Sequence, residues 1–175
     1  MIRSLAIAAA LLLPGMAAAR DVAELECLRD AATVADGAIL FEAVTRNDAA
    51  MQKVINEKLV AKGVPCALRY RWTGPDSRAG GRYYGATLLL AYSQSEMAKR
   101  PGAIEKLDAA LAALSPESRA RLGPGGTPID ADRDWLGAQV MAVGLSPADL
   151  EGKKALLYLV STIQRAKYVE DWKAL

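Results

Sequence analysis

Residues 21–36 space Val22, Leu25, Leu28, Ala32 and Ala35 three and four positions apart, as one apolar helix face requires. Asp21 stands near the start of this helix, and Gly37 is placed to stop it. Residues 38–45 (AILFEAVT) form a short apolar run with β-branched and large side chains, which predicts a strand. Asn47 then serves as the N-cap of a helix running to about Lys62. Met51, Val54, Ile55 and Leu59 are its inward stripe, and Gly63 its terminator. From Val64 the period changes to two: Cys66, Leu68, Tyr70 and Trp72 fall on one strand face, Ala67, Arg69 and Arg71 on the other. Residues 73–81 (TGPDSRAGG) predict a surface loop, and residues 82–93 a returning strand with an apolar centre at Leu88-Leu89-Leu90.

The second half keeps the helical period. Residues 102–114 carry Ile104, Leu107, Leu111 and Leu114 in phase, and residues 132–143 and 153–172 predict two more helices. Ser115-Pro116 and Ser146-Pro147 each place a hydroxyl cap before a proline suited to a first helical turn. Residues 123–128 (GPGGTP) are the best internal linker. The expected fold is α+β: a small, mainly antiparallel sheet with flanking helices and a helix-rich C-terminal half.

Residues 1–19 change the reading of where the protein works. Arg3 precedes a nine-residue apolar run, Pro14-Gly15 breaks it, and Ala17-Ala18-Ala19 supplies small residues for signal peptidase. The run is far short of the roughly 20 residues a spanning helix needs. The expectation is a signal peptide cleaved after Ala19, leaving residues 20–175 as one domain in the periplasm or outside the cell, with no transmembrane segment. The removed segment carries one of the 22 basic residues and none of the 20 acidic ones, so the remainder has a net charge of +1. That balance argues against a dedicated nucleic-acid binder. In an oxidising compartment the two cysteines, Cys27 and Cys66, are expected to bridge. The loop they close removes about 4 kcal/mol of unfolded-state entropy.

The chain has no histidine, which removes Ser-His-Asp and Cys-His catalysis and the commonest zinc ligand. No cofactor motif is present, and no metal site is expected. The one carboxylate cluster, Asp130, Asp132 and Asp134, imitates the start of a calcium loop. It then places Trp135 where the turn needs glycine and Met141 where a bidentate Glu belongs. Acids at the start of a helix favourably meet its dipole, and a small carboxylate-dependent hydrolase at Asp130–Asp134 is the alternative reading. The favoured reading is an exported, non-enzymatic binding or accessory protein whose partner is an unidentified protein or envelope polymer. Its binding residues are expected on the predicted hairpin: Arg69, Arg71, Arg78, Arg82, Tyr83 and Tyr84. Guanidinium groups pair with carboxylate or phosphate, and aromatic rings supply contact area.

Overall fold

The computed structural model describes residues 20–175, and the expected signal peptide lies outside them. Eight helices account for the regular structure of the described residues: α1 (Ala23–Ala31), α2 (Val34–Thr45), α3 (Ala49–Tyr70), α4 (Gly74–Met97), α5 (Ala103–Ala113), α6 (Pro116–Leu122), α7 (Asp130–Ala142) and α8 (Leu150–Lys173). The expected antiparallel sheet is therefore wrong. All three segments read as strands lie in helices, apart from Arg71 and Trp72 at the end of the second, and so does most of the loop between the last two.

Local chemistry explains each correction. The first helix ends at Ala31, and Thr33 caps α2 by accepting the Asp36 N–H at 3.1 Å. The apolar run 38–45 lies inside α2, where Leu40, Phe41 and Ala43 are buried. Gly37 does not stop a helix; it brings α2 against α4 so closely that a Cβ there would lie 2.2 Å from the Leu88 carbonyl oxygen. Asp48, one residue after the expected cap, begins α3 by accepting the Ala50 and Met51 N–H groups at 3.0 Å. Helix α3 then continues through Gly63 and Pro65 to Tyr70. Pro65 withholds one helical hydrogen bond, but Ala61, Val64 and Pro65 are all exposed, so water can serve the unmatched carbonyl. The period of two in residues 66–72 was coincidental: Cys66 is buried while Leu68 is 74% exposed.

Arg71, left-handed at φ 54°, ends α3. The Trp72 N–H reaches back to the Ala67 carbonyl at 2.9 Å, the reversal that glycine usually makes at a helix C-terminus. The TGPD sequence read as a turn is a capping box. Thr73 accepts the Asp76 N–H, the Asp76 carboxylate accepts the Thr73 N–H at 2.7 Å, and Pro75 sits in the first turn. What looked like a β-hairpin is thus an αα-hairpin of α3 and α4. Leu88-Leu89-Leu90 is apolar on every side because α4 is central, with α2 and α8 packed along it.

The helices expected in the second half are present, and residues 123–128 fall in the connection between α6 and α7. Ser115 caps α6 as anticipated, accepting the Ser118 N–H at 3.2 Å. Ser146-Pro147 does not start a helix; α8 begins after Asp149. Helices α4 and α8 run antiparallel. Lys154 near the start of α8 bonds Glu96 near the end of α4, and Arg165 farther along reaches Tyr83 near the α4 start. Two apolar clusters share this pair. One joins Leu25, Leu28, Ile55, Cys66, Tyr84 and Trp172; the other joins Met97, Leu107, Leu111, Val140, Leu159 and Ile163. A disulfide links Cys27 to Cys66, tying α1 to α3 at a Cα separation of 5.9 Å. Among the described residues, no helix is long and apolar enough to cross a membrane.

Candidate binding groove

Side chains that are missing from the facing sides of α3 and α4 open a groove of about 440 Å³ between them. Gly63 lines it from α3, and Gly81 from α4. A Cβ on Gly63 would only brush Leu28 at 3.8 Å, and one on Gly81 would meet nothing within 4 Å. The α3 wall carries Asn56, Leu59, Val60, Val64 and Ala67, and the α4 wall Ser77, Arg78 and Arg82. Leu28 and Tyr84, each 1% exposed, close the bottom with half-buried Trp72.

The floor is held rigidly. Tyr84 donates its hydroxyl to the Ala31 carbonyl at 3.0 Å, and the disulfide fixes α1 beneath α3. Trp72 lies over Gly80, where a Cβ would come within 2.7 Å of its ring. Its indole N–H donates to Glu24 at 2.7 Å, and its ring meets Trp172 edge-on at 5.0 Å. Arg20 bonds both Glu24 and Asp76, and the Trp172 indole donates to the Asp21 carbonyl at 3.0 Å. Burial opposes the charge on Asp76. The Thr73 backbone and hydroxyl, together with Arg20, outweigh it and hold the carboxyl below its ordinary pKa.

The sequence candidates divide. Arg78, Arg82 and Tyr84 line the groove. Tyr83 points away: it is buried, with the Arg165 guanidinium 5.6 Å from its ring and bonded to its hydroxyl at 3.3 Å. Arg69 lies over Tyr70 at 5.4 Å, and Arg71 forms the αα-turn; neither lines the groove. A helix places residues 78 and 82 one turn apart on one face, whereas Arg69 and Arg71 belong to another element. Sequence reasoning missed Val60 and Val64, which are 65% and 44% exposed. Their signal was a second apolar row on α3, Val60-Val64-Leu68 at four-residue spacing, hidden once residues 64–72 were read as a strand.

Arg78 and Arg82 have no carboxylate within 4 Å among the described residues. Arg20 and Arg29 each have two, and Arg46, Arg100, Arg121 and Arg133 one each. The groove therefore combines an apolar floor with two uncompensated cations on one rim.

The acidic cluster has a different character. Arg121 grips Asp132 with two nitrogens at 2.6 and 2.8 Å, and Asp132 also accepts the Ile129 N–H at 3.1 Å. Arg121 chiefly holds the Asp132 carboxyl far below the carboxylate range, against the cost of burial. Asp130 is exposed and paired with Arg133 at 2.7 Å. These acids build the start of α7. A second ion-paired set surrounds the buried Lys154, which bonds Glu96 at 2.7 Å and Glu151 at 2.6 Å. Burial disfavours the lysine charge, but the two carboxylates more than offset it and raise the Lys154 pKa. No group of three potential metal-ligating side chains occurs among the described residues. No protein-family model, curated protein or solved structure matches the chain.

Proposed function

We propose that this chain is an exported binding protein of the periplasm or extracellular space. It seats its ligand in the α3–α4 groove and performs no chemical step on it. The observation that carries this reading is the groove itself, an apolar recess with two unpaired arginines on one rim. Small-ligand sites typically have such a recess of about 300–1,000 Å³ with a few polar groups that fix orientation. The signal-peptide pattern of residues 1–19 and the Cys27–Cys66 disulfide support the assignment to an oxidising compartment. The hydrolase alternative finds less support. Asp132 is 2% exposed and held by Arg121 and the Ile129 N–H, so its carboxylate is not turned to a substrate.

The test is titration of the folded protein with the uncharged fluorophore N-phenyl-1-naphthylamine. Saturable one-site binding is expected, and Gly81→Leu, which places a side chain into the opening, should abolish it without loss of thermal stability. Absence of saturable binding, or equal binding by the Gly81→Leu variant, would remove the groove as the site.

A further inference from the structure

We propose that the α3–α4 groove takes a single-chain anionic amphiphile. A carboxylate or phosphate head lies between Arg78 and Arg82, and an alkyl chain lies against Leu28, Leu59, Val60 and Val64. This deepens the binding reading and rests on it. Three observations select this ligand chemistry.

The first is charge. Arg78 and Arg82 stand at i and i+4 on α4 and both line the groove, with no carboxylate within 4 Å of either among the described residues. Two like charges at that spacing disfavour each other. An anion placed between them relieves the repulsion and accepts charge-assisted hydrogen bonds, which guanidinium donates well to carboxylate and phosphate alike. An uncharged ligand leaves the pair uncompensated, and a cationic one adds to the repulsion.

The second is the apolar track. Val60 and Val64 are one helical turn apart and remain substantially exposed, and the buried Leu28 lies at the bottom of the groove. Covering exposed apolar surface is favourable in rough proportion to its area, so a chain running along this wall binds through area the fold leaves uncovered. A short anion without a chain cannot use it.

The third is length. The α3 wall extends from Asn56 to Ala67, about 18 Å, but the α4 wall faces it only from Ser77 to Tyr84, about 12 Å at 1.5 Å per residue. That suits one alkyl chain, whereas a docked protein helix reads anchors over several turns.

The decisive experiment is calorimetric titration of the exported protein with a ten-carbon series, each below its aggregation concentration. The series comprises decanoate, decyl phosphate, decan-1-ol and decyltrimethylammonium, with acetate and inorganic phosphate as chainless controls. Decanoate or decyl phosphate, or both, should bind one-to-one and at least tenfold more tightly than the alcohol and the ammonium. The chainless anions should not bind measurably. The tighter of the two anionic chains identifies the natural head group as carboxylate or phosphate. Arg78→Ser combined with Arg82→Ser should remove the tenfold preference, so that the anionic chains bind no more tightly than decan-1-ol does to the same variant. Equal affinity for anionic and cationic chains, or a preference that survives the double substitution, would overturn the proposal. If N-phenyl-1-naphthylamine binds but head-group charge makes no difference, this proposal falls and the groove remains a binding site. If neither the fluorophore nor any chain binds, the binding reading falls with it. Binding only of an acidic partner helix, with no response to alkyl anions, would also overturn it.

Discussion

Gly37→Ala is the sharpest probe of how α2 meets α4, because helix propensity and packing pull in opposite directions there. Gly37 lies inside α2, where alanine is favoured over glycine by about 1 kcal/mol on propensity alone. The added Cβ would lie 2.2 Å from the Leu88 carbonyl oxygen and 2.8 Å from the Tyr92 Cβ. The first contact is with backbone that cannot rotate away. Helix α2 must retreat by about 1 Å to restore ordinary contact, and in close-packed interiors such a shift opens neighbouring contacts. Leu40, Phe41 and Ala43 would loosen with it, since all are buried on α2. Overpacking of this kind costs about 1–3 kcal/mol, with backbone clashes toward the upper end. The net expectation is a loss of about 2 kcal/mol, or roughly 4–8 °C in Tm for a chain of this size. Gly81→Ala is the internal control: its Cβ meets nothing, so the propensity gain should raise Tm by about 2–4 °C. Urea unfolding followed by tryptophan fluorescence measures both. If Gly37→Ala matches or exceeds the wild type in stability, the close α2–α4 crossing is wrong.

Three further outcomes follow from the same packing. Cys27→Ser with Cys66→Ser should lower stability by about 4 kcal/mol, since the bridge closes a 39-residue separation; thiol labelling of denatured, unreduced protein should find no free cysteine. Arg71→Gly should stabilise by about 1 kcal/mol, because Arg71 holds a left-handed conformation that glycine adopts without strain; an unchanged urea midpoint would contradict that turn. Asp36, Asp76, Glu96, Asp132 and Glu151 all ionise more readily in the folded chain than their ordinary values imply. A depressed folded pKa gives stability that is present above the unfolded value and lost on acidification. Urea midpoints should therefore stay level from neutral pH to about 5, then fall as pH drops through about 4; Asp132→Asn should lower the neutral-pH midpoint and flatten part of that fall.

The C-terminal half was legible because its helices carry wide apolar stripes and ordinary signals, such as Ser115-Pro116 before α6. The N-terminal half was misread where tertiary environment overrode local pattern. Residues 38–45 are apolar on more than one side because α2 meets both α3 and α4, and a short apolar run does not distinguish a buried helix from a strand. Gly63 and Pro65 look like breaks, yet burial of Cys66 and its bond to Cys27 hold α3 together past them. TGPD satisfies both turn and capping chemistry, and only the length of α4 decides between them. At the site, Arg78, Arg82 and Tyr84 were visible as residue types suited to binding. Val60 and Val64 were not, because their exposure depends on a helix the pattern concealed.

Backbone amide NMR of the uniformly nitrogen-15-labelled protein, titrated with decanoate below its aggregation concentration, tests the central claim most directly. The account predicts saturable shifts in residues 56–67 of α3 and 77–84 of α4, with α5 to α7 undisturbed and the response lost in Gly81→Leu. Shifts centred on the α7 start beside Asp130 and Asp132, or no saturable response at all, would contradict it.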